Sequence, residues 1–351
     1  MAKRRSKTVR LRNSREVPVV ADEGNGHVKS WHRDVAGAVR RDLDPREFPA
    51  ILATGTGLLW VDVDLREKGH HALLASVFKF HPLSIEDTLS ADGRVKFEEF
   101  PGYALAVVRA VRFVSETDDL YDIETFNLWC FFGRNFVVTV RGAHAPGVDA
   151  TMERLARSPE FLERGAGRLV HQILDASVDA YFPVMDQIDA FVDGLEERVF
   201  VNFDQEALRD IFSVKRLVLQ LKRHLAAMRE VFNAMQGRPC ALIPADVQIY
   251  FRDVYDHVYR LNESLDTYRD LISSTMDSYL TQVSNRMGKV TKGLTVVATM
   301  SVPFVVVSGM WGMNFASVPL SGWPHGFWVL LALQLGLGGG LLWMLKRRGW
   351  L

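Results

Sequence analysis

Trp311-Gly312-Met313-Asn314-Phe315 ends an uncharged apolar run that begins at Gly293, and a second run, Gly326 to Leu345, ends at Lys346-Arg347-Arg348. Charge-free runs of about twenty residues match a helix that crosses roughly 30 Å of hydrocarbon. Buried soluble helices are seldom this long without a charge. Pro303 in the first run is tolerable inside a bundle. Gln334 and the Gly336-Gly338-Gly339-Gly340 cluster in the second permit close helix contact. Arg286, Lys289 and Lys292 lead into the first run, and the segment between the runs has neither Lys nor Arg. The positive-inside rule then puts both termini in the cytoplasm and the loop outside. Trp311, Trp323 and Trp328 suit an outer aromatic belt. The pattern predicts a multi-pass protein of the cell (inner) membrane.

Upstream, no proline interrupts the chain between Pro244 and Pro303. Val247, Phe251, Val254, Val258, Leu261, Leu265, Tyr268 and Ile272 repeat at heptad spacing, continuing through Met276, Tyr279, Val283, Met287 and Val290. A helix of this extent would be on the order of 90 Å long, so its first half is expected to leave the membrane as a stalk. Self-association is the expected cover for its seam. Leu169 to Phe200 and Asp204 to Met235 read as two more helices, the second closed by Gly237 and Pro239.

Gly57 to Gly142 reads as α/β material. Leu59 to Leu65 alternates like a half-buried strand, and Tyr103 to Phe113 is a longer β-rich run. Phe126 to Phe132 and Phe136 to Val140 flank a hairpin turn at Gly133-Arg134-Asn135. His70 to Phe80 has helical spacing, ended by His81-Pro82. The expected fold class is an α+β membrane protein with a cytoplasmic α/β domain, a long helical stalk and two C-terminal transmembrane helices. The boundaries are 1–56 for a basic tail and lead-in, 57–165 for the α/β domain and 166–292 for the stalk region. They continue with a pore-lining span at 293–313, an external loop at 314–325, a second span at 326–345 and a basic tail at 346–351.

Composition removes several function classes. Cys130 and Cys240 lie far apart in apolar surroundings, giving neither a disulfide framework nor a paired metal motif. No phosphate loop, nucleophile elbow or paired-histidine zinc motif occurs, so an enzyme or nucleotide-driven pump is not expected. Lys3, Arg4, Arg5, Lys7, Arg10, Arg12 and Arg15 form a basic tail with no acid among them. No nucleic-acid-binding motif accompanies it; anionic lipid or an acidic surface would suffice as its partner.

The Gly312-Met313-Asn314 triplet at the mouth of the first span offers neutral oxygens, which can hold a cation that keeps its water. Asn314 could equally serve as a helix C-cap. With His81-Pro82-Leu83, Glu86-Asp87, the stretch from Tyr250 to His257, Asn285, Thr299, Pro303 and the ending Trp350-Leu351, it resembles the CorA family of divalent-cation channels. The resemblance covers nearly the whole chain. It implies a homopentameric funnel and passive influx of Mg2+ or Co2+, with Gly312, Met313 and Asn314 as selectivity filter. Helical spacing through Gly312 would then turn Gly309, Val305, Val302, Ala298, Leu294 (or Thr295) and Thr291 to the axis. Leu294 and Val302 are candidates for an apolar constriction, although ordinary helix packing would use them equally well.

The resemblance also implies a regulatory Mg2+ sensor at Asp87 and Asp253, with Glu86 and Asp175 as secondary ligands. Taken alone, Asp175, Asp179, Asp186, Asp189, Asp193 and Glu196 form a stripe that reads as a solvated face. The loop departs from the family pattern, with Ala316-Ser317-Val318-Pro319-Leu320 where acids are usual and His325 its only titratable side chain. Ni2+ therefore joins Co2+ as a competing substrate. A zinc-transporting branch of the superfamily and a membrane-anchored coiled-coil scaffold are the rival readings.

Overall fold

The structure is a computed structural model and describes residues 11–13, 28–67, 69–90, 93–114, 123–201, 205–313, 319 and 322–349. It divides into two compact units, residues 1–276 and 277–351.

The first unit is built on an eight-stranded sheet. Its strands are β1 (Leu11–Asn13), β2 (Lys29–Arg33), β3 (Val39–Arg41), β4 (Leu58–Asp64), β5 (Lys96–Phe100), β6 (Tyr103–Phe113), β7 (Ile123–Phe132) and β8 (Phe136–Arg141). The order is β3-β2-β4-β8-β7-β6-β5, with β1 paired to β7. β4 and β8 run parallel, whereas β5 to β8 form an antiparallel meander. Its hairpin turns at Gly133, where a Cβ would lie 2.3 Å from the Phe136 ring. Only glycine leaves that ring its place.

Every residue of β4 is buried, which requires cover on both faces. One face packs on α1 (Phe48–Thr54), α2 (Ala72–Ser76) and the Phe80 loop, where Phe80 stacks on Phe131 at 4.2 Å. The other meets α4 (Pro146–Arg157), α5 (Gly165–Asp179) and α7 (Gln205–Gly237), with α3 (Pro82–Leu89) and α6 (Tyr181–Val201) completing the set before α8 (Ala245–Trp311). β2, β3 and α1 fall within residues 1–56, so part of the lead-in is folded into this unit.

Three sequence expectations change here. His81-Pro82 starts a helix instead of ending one: the His81 ring accepts from the Leu83 N–H at 3.3 Å, and proline is preorganised for the first helical position. The helix expected over Leu169–Phe200 is two, α5 and α6, parted at Ala180. Pro183 explains the break, since it has no N–H for a continuous helix but is tolerated in a first turn. Tyr181 is then turned inward, its hydroxyl donating to the Arg109 carbonyl at 2.8 Å.

The third change concerns the seam. Val247, Phe251, Val254, Val258, Leu261, Leu265, Ile272 and Tyr279 are buried within a single chain. Thr275 donates to Glu196 on α6, and Lys222 on α7 pairs with Asp266. This length of seam is therefore covered by the chain's own helices and needs no second copy. Only Met287 and Val290, 67% and 68% exposed, stay uncovered.

The second unit holds the apolar part of α8 and α9 (Gly326–Arg347), both long and apolar enough to cross a membrane. They meet at Gly338, where a Cβ would come within 2.6 Å of the Phe304 ring. Gln334 donates to the Ser308 hydroxyl at 3.2 Å, and the Trp311 indole donates to the Pro319 carbonyl at 3.0 Å.

Inside the sheet, Asp62 and Arg141 form an ion pair at 2.9 Å with side chains 1% and 5% exposed. Thr139 donates to the same carboxylate, and Trp60 donates to Thr139. Burial pushes the Asp62 carboxyl above its usual range, and the Arg141 charge opposes that shift. Asp62→Ala would leave the buried guanidinium its longer contact with Asp64 at 3.6 Å and the Ala143 carbonyl at 3.2 Å, and is expected to cost about 3 kcal/mol. Denaturant unfolding of the purified chain measures it; a loss below about 1 kcal/mol would show that Asp64 alone satisfies Arg141.

Candidate functional site

Around α8, the side chains divide by the company they keep. Met300, Phe304 and Ser308 follow helical spacing and face α9. Thr291, Leu294, Ala298, Val302, Val305 and Gly309 lie about 80–160° around the helix from Phe304. All six are exposed, Leu294 at 69%, Val302 at 57% and Val305 at 69%. The six expected to face a pore are thus on the side that α9 does not cover.

The helix ends at Trp311, and the Gly312 N–H still bonds back to Ser308 at 2.9 Å. A Cβ on Gly312 would stand 3.3 Å from that same carbonyl, a tight contact that favours glycine. Met313 is 51% exposed. Asn314 lies outside the described residues, so its place in the filter rests on sequence.

The sensor candidates fall into two groups. Glu86 and Asp87, on α3, line an open recess of about 610 Å³ with Glu98, Glu99 and Lys96. The Lys96 ammonium donates to Asp87 at 2.6 Å and pairs with Glu98 at 2.8 Å. Burial lowers the Lys96 pKa, but these two bonds outweigh it and the net shift is upward. A cation already sits among these carboxylates, and it is part of the chain.

Asp175 and Asp253 belong to the second group. The loss of an N–H at Pro183 and the turn at Ala180 leave Asp175 and Asp179 side by side at the end of α5, facing α8. His257 stands between them, Nδ1 lying 3.8 Å from Asp175 and 3.7 Å from Asp179. Asp253 is 3.8 Å from the other ring nitrogen and 68% exposed. Ligand atoms of Asp175, Asp179 and His257 all lie within 4.8 Å of one another. The gaps are too long for hydrogen bonds, and Asp175 Oδ1 and His257 Nδ1 are buried without a hydrogen-bond partner. Two carboxylate oxygens and one imidazole nitrogen suit Co2+ or Ni2+ better than Mg2+, which prefers oxygen alone.

Sequence reading missed His257 as a ligand and left Asp179 to solvent. The available signal was spacing: Asp253 and His257 are four apart, as are Asp175 and Asp179, so each pair shares a helix face. Asp186, Asp189 and Asp193 are exposed as expected of a solvated stripe.

Burial and then the Asp179 charge raise the Asp175 pKa from 3.8 to about 6. The folded chain therefore binds this proton more tightly than the unfolded one. That contribution to stability is complete below about pH 4 and lost as pH rises through about 6. In metal-free buffer, Asp175→Asn should raise the melting temperature at neutral pH, and the gain should vanish toward about pH 4. Thermal unfolding across that range decides it; a constant difference would mean the carboxylate is not strained.

Comparison with known proteins covers most of this architecture. The family model described as CorA-like Mg2+ transporter protein matches residues 55–347. The chain is 33% identical over 291 residues to YfjQ of Bacillus subtilis, spanning 83% of this chain and 89% of that protein. It is 30% identical over 275 residues to the cobalt/magnesium transport protein CorA of Thermotoga maritima, 78% of each. In fold, the complete CorA magnesium transporter from Methanocaldococcus jannaschii is similar at a TM-score of 0.82 and 20% identity, over 94% of this chain and 100% of that one. With its sheet unit and two apolar C-terminal helices inside the matched residues, the chain belongs to the CorA-like Mg2+ transporter family.

Proposed function

We propose that this chain is the subunit of a homopentameric, channel-like transporter that admits Mg2+, with Co2+ and Ni2+ as further substrates, across the cell (inner) membrane. The observation that carries this reading is the uncovered side of α8. Leu294, Val302 and Val305 are apolar and exposed in the single chain, away from the face held by α9. Copies of the same helix, arranged around an axis, supply the missing cover and enclose a path. An apolar constriction at Leu294 and Val302 can then close by dewetting.

At the mouth, Gly312 carbonyls and Asn314 side chains accept hydrogen bonds from the waters of an entering ion. Mg2+ dehydrates reluctantly, so a site that leaves its water in place lets it pass. Neutral acceptors also avoid the tight hold of a carboxylate ring. A doubly charged ion gains about 4.6 kcal/mol per 100 mV of inward-negative potential, so no fuel site is required. Both termini face the cytoplasm, where Mg2+ bridging Asp87 and Asp253 of adjacent subunits favours the closed arrangement.

Purified protein in liposomes under an inward-negative potential should take up Mg2+ and Co2+. Asn314→Ala should lower uptake by at least about tenfold without changing the size of the assembly, because it removes from every subunit a hydrogen-bonding group worth about 0.5–1.5 kcal/mol. Uptake of Zn2+ alone, or of no divalent ion at all, would defeat the reading. For regulation, Lys96→Gln frees Asp87 from its internal cation. The Mg2+ concentration that half-closes the channel should fall about two- to fivefold, the range of a partly exposed ion pair. No change, or a rise, would remove Asp87 from the sensor.

A further inference from the structure

Helices α6 and α7 carry opposite charge on their outer faces. Along α6, five acids stand against one base, Arg198. From Arg209 to Arg223, α7 has five bases against one acid, Asp210, which is buried and pairs with Arg198 at 2.7 Å. Glu196 accepts from Thr275 and Asp189 from the Tyr268 hydroxyl, both on α8. What remains exposed is Asp186, Asp193 and Glu197 on α6, and Arg209, Arg216 and Arg223 on α7. Among the described residues, none of these six enters an ion pair. Each set of three lies within about 40° of arc on its own helix. Phe212 and Leu219, 50% and 40% exposed, are interleaved with the arginines, and Phe200 follows Glu197 by one turn. Arginine and phenylalanine are enriched at protein contacts. The Arg198–Asp210 pair also fixes the level at which these antiparallel helices meet. Counted from it at 1.5 Å per residue, Asp193 is level with Arg216 and Asp186 with Arg223 to about 2 Å, and Glu197 with Arg209 to about 3 Å.

We infer that α6 of one copy docks against α7 of the next, with Asp186, Asp193 and Glu197 meeting the arginines at 223, 216 and 209 of its neighbour. Rotation about an axis along these helices moves a neighbour sideways without changing its height. Residues level within one chain therefore stay level between copies. Because the two faces differ, the contact is head-to-tail and repeats around a ring, unlike the self-matching face of a two-fold dimer. A foreign acidic partner or an anionic surface would meet the arginines and leave the α6 carboxylates unanswered. A second copy answers both rows. The inference deepens the homopentamer reading and rests on its cyclic arrangement of copies.

The test uses full-length chains in detergent, co-expressing Asp193→Cys and Arg216→Cys copies that carry different tags and treating them with a short bis-maleimide. A maleimide bridge is chosen because the Cα atoms of an Asp–Arg pair stand farther apart than the roughly 7 Å that a disulfide spans. Cys130 and Cys240 are buried, and the unsubstituted chain sets the background. Co-expressed copies should cross-link at least about fivefold more than either variant alone. Equal cross-linking of one variant with itself would mean a self-matching contact and overturn the inference. With Asp186→Cys and Arg223→Cys as reporters, Arg216→Glu should lower the yield about fivefold, and adding Asp193→Arg should return it to within about twofold. Rescue by the reversed pair separates lost pairing from lost folding; a loss without rescue would overturn the pairing. A chain with both cysteines should give a ladder of linked copies whose last rung counts the ring. A ladder ending at a number other than five would defeat the pentamer and leave this contact standing. Absence of cross-links between copies that still take up Mg2+ in liposomes would defeat this inference alone.

Discussion

Burial along α8 stops at Tyr279, and that limit governs what the rest of the chain must do. Up to that point the apolar side of the helix is closed by the chain itself. Beyond it, among the described residues, Leu345 is the one large apolar side chain that is buried, with 8% of its surface still exposed. Exposed apolar surface on this scale marks contact with lipid or with other proteins. A backbone in hydrocarbon must also satisfy its own hydrogen bonds, which a helix does and a loop does not. The second unit is therefore incomplete alone. Glycine at 338 and the Gln334–Ser308 bond join α9 to one side of α8, and the other side is left open to lipid or protein.

The carboxylates of the first unit show two ways of holding negative charge ready for a cation. At Asp87 the charge is met by Lys96, so an arriving ion competes with an ammonium that cannot diffuse away. At Asp175 burial and the neighbouring Asp179 hold the proton up to about pH 6, so the competitor there is H+. The two loci also differ in chemistry. Carboxylates of Glu86, Glu98 and Glu99 dominate the recess at Asp87, which also holds Lys96 and His81, whereas at Asp175 the His257 ring stands between two carboxylates and favours softer ions. On the transport reading, a chain with both would respond differently to different divalent ions without any change in its pore.

Much of this was legible in sequence where a period is long and uninterrupted. The two spans, α7, and the strands β4, β6, β7 and β8 appear close to where alternation and hydropathy place them. β5 was hidden because Lys96-Phe97-Glu98-Glu99-Phe100 is mostly charged, as an edge strand can be. β2 and β3 are short and were passed over as lead-in. Heptad spacing marked most of the buried residues of α8 as far as Tyr279, left Tyr268 and Met276 half-buried and failed at Met287 and Val290, and a period carries no information on what covers a seam. His257 and Asp179 escaped for a similar reason: sequence spacing gives the face of each helix, and only the packing of α5 on α8 brings the two faces together. The filter residue Asn314 remains a sequence inference.

The basic end of the spans raises a problem that the neutral mouth does not. On the channel reading, a divalent ion leaving the pore passes the positive charges that precede the first span and follow the second. At about 8 Å, each unneutralised Lys or Arg repels a doubly charged ion by roughly 1 kcal/mol even in a water-like dielectric. With several such charges per subunit, that repulsion would offset a large part of the 4.6 kcal/mol that about 100 mV supplies. Salt screening weakens it over about the same distance but does not abolish it close to the protein. No Asp or Glu side chain in residues 278–351 cancels the charge, so the counter-charge at the exit has to come from outside this stretch.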